Sequence, residues 1–220
     1  MTDLVEDTYA EAFRSIYTEF LITARDRRWL DIALNAATGH GSSSIMCDCE
    51  AGLDRYVGPG GDPSCSTPDG RPGAIVQLHV PRFWKNREAA LEKALLARVC
   101  QNVLTCPTTR CFAASTGENY FRLGRKLAFF GDGFEKIEQR YDRQMWVVPT
   151  MGGEFCIDRR FPWFDGVMGG NLWFMATSEE ASLQAAEAAV AACEGIPGVI
   201  TPFPGGVAAS GSKAGSRYQF

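Results

Sequence analysis

Cys47-Asp48-Cys49 alternates on what reads as a strand, which puts both thiols on one face, while His40 sits in "GHGSSS", a turn open to ligand or solvent. Thiols and imidazoles are the usual ligands of zinc, so the eight cysteines and two histidines are weighed first as a metal site. Zinc sites, however, want paired ligands at short spacing, and none of the eight cysteines forms a Cys-x-x-Cys pair. The only other histidine, His79, is far away on an Ile/Val-rich strand, where it reads as a satisfied structural residue. The cysteines are therefore read as reduced, mostly buried thiols, and neither metal nor disulfide is expected. Nucleophile and nucleotide signatures are missing too: there is no Gly-x-Ser-x-Gly, no His-Glu-x-x-His, no Walker-type loop and no Gly-x-Gly-x-x-Gly after a strand.

What remains is a set of short glycine-bearing stretches: "FFGDGF" around Asp132, "GVMGGN", "PFPGG" with Gly205 and Gly206, and "SGSKAGS" with Ser210, Ser212 and Lys213. Glycine permits tight turns and lets a ligand approach the backbone closely. The last loop adds hydroxyls and a cation that can meet an anionic or carbonyl-rich molecule. Plain turns and a flexible linker are the competing readings of these stretches.

Periodicity supplies the elements that must position them. Residues 15–23 alternate as a strand. Asp26 caps a helix carrying Trp29, Ile32, Ala33, Ala36 and Ala37, which is expected to stop at Gly39. Residues 44–49 read as extended and 74–80 (AIVQLHV) as a clearer strand, with a long Gly/Pro loop between them. Asn86 opens a second helix with Leu91, Leu95, Val99 and Val103 at i+4 spacing, closed by Pro107. Residues 126–130 (KLAFF) and 145–148 read as further strands. That order is β-α-β-β-α-β, the split βαβ of a ferredoxin-like domain. A second series then begins with a strand at 172–177 (LWFMAT), a helix from Ser178 with Leu183, Ala186, Val190 and Cys193 on one face, and a broken strand at 199–210.

The expected fold is α+β: a ferredoxin-like lobe at 1–149 and the first half of a second ferredoxin-like lobe at 150–220. The net charge of −4 does not support a general affinity for nucleic acid. No apolar run reaches the length of a membrane span. An N-terminus carrying Asp3, Glu6, Asp7 and Glu11 before its first basic residue is unlike a secretory or mitochondrial leader, so the expected location is cytoplasmic.

Taken together, "EDTYAEAF", "ATGHGSSSIMC", "TPDGRPG", "LAFFGDGF", "GVMGGNLWFMA", "LQAAEAAV" and "PFPGGVAASGSKAGSRY" run along almost the whole chain in one order. In them the chain closely resembles the formylmethanofuran–tetrahydromethanopterin formyltransferase family, including its methylotroph relative in the formyltransferase/hydrolase complex. The resemblance implies two ferredoxin-like lobes and transfer of a formyl group between methanofuran and tetrahydromethanopterin, which act as carrier substrates with no tightly bound cofactor. It implies oligomers, either of this chain or with formyltransferase/hydrolase partners. Family chains continue past the position of Phe220, and a catalytic glutamate of the family is expected there, so no catalytic residue is assigned within 1–220. Asp132, Gly205, Gly206, Ser210, Ser212 and Lys213 are the expected substrate contacts. A shortened non-catalytic subunit and a small-ligand binding protein of the same fold are the alternatives from other functional classes.

Overall fold

The structure is a computed structural model, and it describes residues 12–194 and 196–209. Among these residues the sheet has nine strands. The first four strands and two helices are β1 (Phe13–Thr23), α1 (Arg27–Ser42), β2 (Glu50–Val57), β3 (Gly73–Pro81), α2 (Arg87–Arg98) and β4 (Arg110–Ala113). They pair in the order β2-β3-β1-β4, and all three pairings are antiparallel. This is the split βαβ arrangement that the element order predicts.

The pleat decides which residues are buried. Ile16, Phe20 and Ile22 of β1 alternate toward the helices together with Ala74, Val76, Leu78 and Val80 of β3. Leu30, Ala33, Leu34 and Ala37 of α1, and Leu91, Ala94 and Leu95 of α2, close that core from the other side. Asp26 caps α1, its carboxylate accepting the Trp29 N–H at 3.1 Å. Beyond Arg98 the second helix widens into a single π-helical turn at Val99–Val103, which keeps Val99, Cys100 and Val103 buried.

The chain then extends the same sheet. It passes through β5 (Tyr120–Phe121), α3 (Leu123–Ala128), β6 (Lys136–Arg140), β7 (Arg143–Thr150), β8 (Gly153–Asp158) and β9 (Phe161–Met168). β6, β7 and β8 form an antiparallel meander that joins β4 through a parallel contact at Cys111 and Ile157. β9 returns along the first half of β1, from Phe13↔Met168 to Thr18↔Trp163, and β4 takes the second half. Position 150 lies where β7 ends, before the turn into β8. Helix α4 (Glu179–Glu194) follows, started by Ser178, whose Oγ accepts the Ala181 N–H at 3.2 Å.

Six of the expected elements are corrected. The last strand of the βαββαβ unit is the four-residue β4, not 126–130 or 145–148; so short a strand leaves almost no alternation to read. Residues 126–130 are the end of α3 and a 3-10 turn at Phe129–Gly131, because Leu123 and Leu127 enter the core at helical i+4 spacing. Residues 44–49 are a turn, and β2 starts only at Glu50. Helix α1 runs through Gly39 to Ser42, since Gly41 is buried beneath Arg98 and a Cβ there would lie 3.2 Å from its Nη2. Finally, 172–177 and 199–209 form no strand among the described residues. Leu172 and Trp173 are 73% and 60% exposed, and a strand without a partner leaves its N–H and C=O groups unpaired. The expected broken strand also reached Ser210, which lies outside the described residues.

Candidate active site

At the sheet end where β2 begins and β3 and β9 finish, a cleft of about 190 Å³ opens. Its walls come from four distant parts of the chain: the end of α1 and the following turn (Thr38, Gly41, Met46, Cys47), the β3 end (Trp84), the β9 end (Met168), and Pro202-Phe203. Glu50, at the first position of β2, lines it.

A buried ion pair fixes the turn between α1 and β2. Arg98 is 0% exposed, and its Nη1 and Nη2 donate to the two carboxylate oxygens of Asp48 at 2.8 and 2.7 Å. Nη1 also donates to the Ala94 carbonyl at 2.9 Å, and Nε is buried without a partner. This forked pairing is one that lysine cannot reproduce. Held by it, the turn puts Met46 and Cys47 in the left-handed region, at φ 67° and 52°, a conformation that non-glycine residues adopt only where their surroundings impose it.

The two carboxylates two residues apart are driven in opposite directions. Burial opposes ionisation of Asp48, but the Arg98 hydrogen bond and charge outweigh it and hold its carboxyl below the usual range. Burial pushes the Glu50 carboxyl above that range, and the Gly169 N–H pulls it partly back. Among the described residues no Lys or Arg forms a salt bridge with Glu50. Burial also pushes the Cys49 thiol up to about 12, which keeps it protonated and a poor nucleophile.

Behind Glu50 the open face of the sheet carries a row of cross-strand neighbours, Glu50↔His79 and His79↔Tyr17. His79 is 7% exposed and stacks on the Tyr17 ring at 4.9 Å. With Gln77 Oε1 as acceptor at 3.1 Å, Nε2 carries the proton and Nδ1 accepts from the Ser15 hydroxyl at 3.1 Å. Burial lowers its pKa to about 4, so the ring is neutral. It is the satisfied structural histidine that its strand position predicts.

The fourth wall is clasped onto β2. The Gly198 N–H donates to Asp54 Oδ1 at 2.7 Å. Gly52 lets residues 200 and 201 lie directly on the strand, since a Cβ there would meet Ile200 Cβ at 2.9 Å. Gly205 and Gly206 follow in a 3-10 turn at φ 69° and 74°. A side chain at Gly206 would strike Thr201 Oγ1 at 2.7 Å.

The fold therefore gathers "GHGSSS", "GVMGG" and "PFPGG" at one place. Asp132 is elsewhere, exposed and left-handed at φ 51° beside β6 and β7 at the far side of the sheet, and it does not line the cleft. Ser210, Ser212 and Lys213 lie outside the described residues. Among the described residues no three His, Cys, Asp or Glu side chains come together as a metal site, and all eight cysteines are free. Glu50 and the Arg98–Asp48 pair carry no sequence signature: Arg98 sits at the end of an amphipathic helix and resembles an ordinary exposed C-terminal cation.

Residues 2–150 match the family model described as formylmethanofuran-tetrahydromethanopterin formyltransferase, and residues 153–220 match that of its proximal lobe. The enzyme named formylmethanofuran–tetrahydromethanopterin formyltransferase in Methanocaldococcus jannaschii is 47% identical over 221 residues, covering 98% of this chain and 70% of the relative. The one from Methanopyrus kandleri is 45% identical, covering 98% and 71%. Among solved structures, the formyltransferase of Methanosarcina barkeri superposes with a TM-score of 0.83 at 43% identity, covering 96% of this chain and 68% of that one. The formyltransferase/hydrolase complex of Methylorubrum extorquens, solved with methylofuran, gives 0.82 at 42%, covering 98% and 68%. With both family models matching nearly end to end, the chain belongs to the formylmethanofuran–tetrahydromethanopterin formyltransferase family.

Proposed function

We propose that this chain is a formyltransferase of one-carbon metabolism, moving a formyl group between methanofuran and tetrahydromethanopterin at the cleft beside Glu50. One observation carries the placement: three glycine-bearing segments, separated by up to 160 residues in sequence, supply the walls of one cleft. The chemistry is acyl transfer between two nitrogens. An amine attacks the formamide carbonyl, a tetrahedral oxyanion forms, and the C–N bond to the other carrier breaks as that nitrogen takes a proton. Such a reaction needs hydrogen-bond donors at the oxyanion, an acid for the leaving amine, and above all two carriers held in reacting register. It demands no redox step.

Further parts of the reading rest on the sequence. Gly205, Gly206, Ser210, Ser212 and Lys213 are proposed as carrier contacts, Asp132 as a polar contact at a second place, and 1–149 and 150–220 as the two lobes. Residence in the cytoplasm, and assembly into homo-oligomers or with formyltransferase/hydrolase subunits, belong to the same proposal. No described helix is long and apolar enough to cross a membrane. Formation of formyl-tetrahydromethanopterin from formylmethanofuran, followed chromatographically with the full-length protein, tests the activity; no product above the uncatalysed rate rejects it. For the loop, Lys213→Ala should raise KM by several-fold at low salt, and less at high salt because an exposed charge contact is screened. An unchanged KM at low salt would remove Lys213 from the carrier contacts.

A further inference from the structure

Strand β6 ends the sheet order and pairs with β7 alone, so its other edge is open among the described residues. The hairpin fixes which of its backbone groups face outward. β6 and β7 are joined by the two-residue turn Tyr141-Asp142, at φ 53° and 58°, and closed by the pair Arg140↔Arg143. In such a hairpin the closing pair exchanges both backbone hydrogen bonds, and bonded and non-bonded pairs alternate from there. Arg140, Glu138 and Lys136 therefore spend their N–H and C=O groups on β7, while those of Ile137 and Gln139 point to the open edge. An unpaired edge of this kind is a template for another strand. One face of it reads positive, negative, positive: Lys136, Glu138 and Arg140, whose side chains are 64%, 25% and 41% exposed. Ile137 stands on the other face, 44% exposed, and Phe134, just before the strand, is 78% exposed.

We propose that this edge pairs antiparallel with the same edge of a second copy of this chain, about a two-fold axis at Ile137. The outward-facing residues must stand opposite one another, so inside the strand the axis falls on Ile137, Glu138 or Gln139. An axis at either end of β6 overlaps a single strand residue. Centred on Glu138, the pairing opposes two glutamates, which repel. Centred on Gln139, it runs at once into Tyr141 and Asp142, where the left-handed turn has left the strand. Centred on Ile137, it sets Lys136 against the partner's Glu138 on both sides of the axis and packs isoleucine on isoleucine. It also brings Phe134 opposite the partner's Arg140, a cation for its ring. Pairing about a two-fold axis uses both edges and closes, giving a dimer and no filament. The contact is independent of the formyltransferase reading, so either can fail alone.

The test uses the full-length protein carrying Ile137→Cys, treated with oxidised glutathione, with the untreated and unsubstituted proteins as controls. Residues opposite in a hydrogen-bonded pair have Cα atoms about 5.5 Å apart, within disulfide reach. Mass spectrometry of the digest should find position 137 of one chain linked to position 137 of another, whatever other contacts assemble the protein. Gln139→Cys places its two thiols roughly 13 Å apart along the strands in this register, and should link at least several-fold less. Charge reversal reads the register independently, by sedimentation velocity. Lys136→Glu sets glutamate against glutamate twice and should weaken the association about tenfold. Lys136→Glu with Glu138→Lys restores both opposite pairs and should recover it. The proposal fails on any of four results: no 137-to-137 link, an equal link through 139, a link from 137 only to cysteines of its own chain, or a double reversal as weak as the single one.

Discussion

Arg98 and His79 are the two side chains whose removal should report most directly on the site's foundations. Arg98→Met deletes both donors to Asp48 and leaves its carboxylate without a partner, a change that costs about 3 kcal/mol; Asp48 is partly hydrated, which keeps the loss at the lower end of the range for buried pairs. Arg98→Lys restores the charge without the fork and should recover only part of that stability in denaturant titrations. His79 makes stability depend on pH. Its folded pKa of about 4 lies below the unfolded 6.5, so between those values the unfolded chain binds the extra proton. Stability should be full above pH 6.5, fall as pH drops toward 4, and lose about 3 kcal/mol across that window from this group. A His79→Gln variant should flatten the pH slope between 6.5 and 4. A slope as steep as that of the parent would assign the effect to other groups. His79 was readable because a strand of Ile and Val announces burial, whereas Arg98 was not: nothing local separates a buried helix-end arginine from a solvated one. Its burial depends on Asp48, fifty residues earlier.

Helix α3 and the turn before β2 mark where element-level reading succeeds and fails. Long amphipathic runs such as 87–103 declare their faces, and Leu91, Leu95, Val99 and Val103 are all buried as their spacing requires. Residues 126–130 mislead because Phe129 and Phe130 look like a strand core, yet Phe129 is 82% exposed and the burial falls on Leu123 and Leu127. Leu127→Ala should therefore cost about 2–5 kcal/mol, as truncation of a fully buried leucine does. Phe129→Ala should change unfolding free energy by under about 0.5 kcal/mol. Comparable losses for the two would return 126–130 to the sheet. At Gly52, alanine would push against Ile200; it should loosen 196–203 while the sheet holds, detectable as selective proteolysis within that segment.

Over the molecule, stability is unevenly distributed. β1 is bonded along its length to β3 on one side and to β9 and β4 on the other, and its alternate residues are buried in the main core. Residues 172–177 belong to no strand, and most of their large side chains are exposed. Amides of Phe20, Ile22, Val76 and Leu78 should exchange with solvent only by global unfolding, and those of 172–177 several orders of magnitude faster. Protection of 172–177 equal to that of β1 in the chain alone would show a pairing that this fold does not contain. β1, α1, β3 and α2 and the core between them were legible because strand and helix periods alternate cleanly there, whereas β2 was read six residues early and the four-residue β4 was not read at all. The β9 return onto β1 was not legible either, since a strand broken by Pro162 and Gly166 carries little alternation and its partner lies 150 residues away.

The clasp between Gly198 and Asp54 joins the chain's late segment to an early strand, and the cleft borrows a wall from it. Occupancy of the cleft and order in 196–203 are then two readings of one equilibrium. A molecule that leans on Phe203 binds only when the segment is down, so its free energy is spent partly in holding that segment there. By reciprocity, whatever lifts the segment, a cut at Ile196 or a Gly52 side chain, must weaken the molecule's grip by the same factor that the molecule protects the segment from cutting.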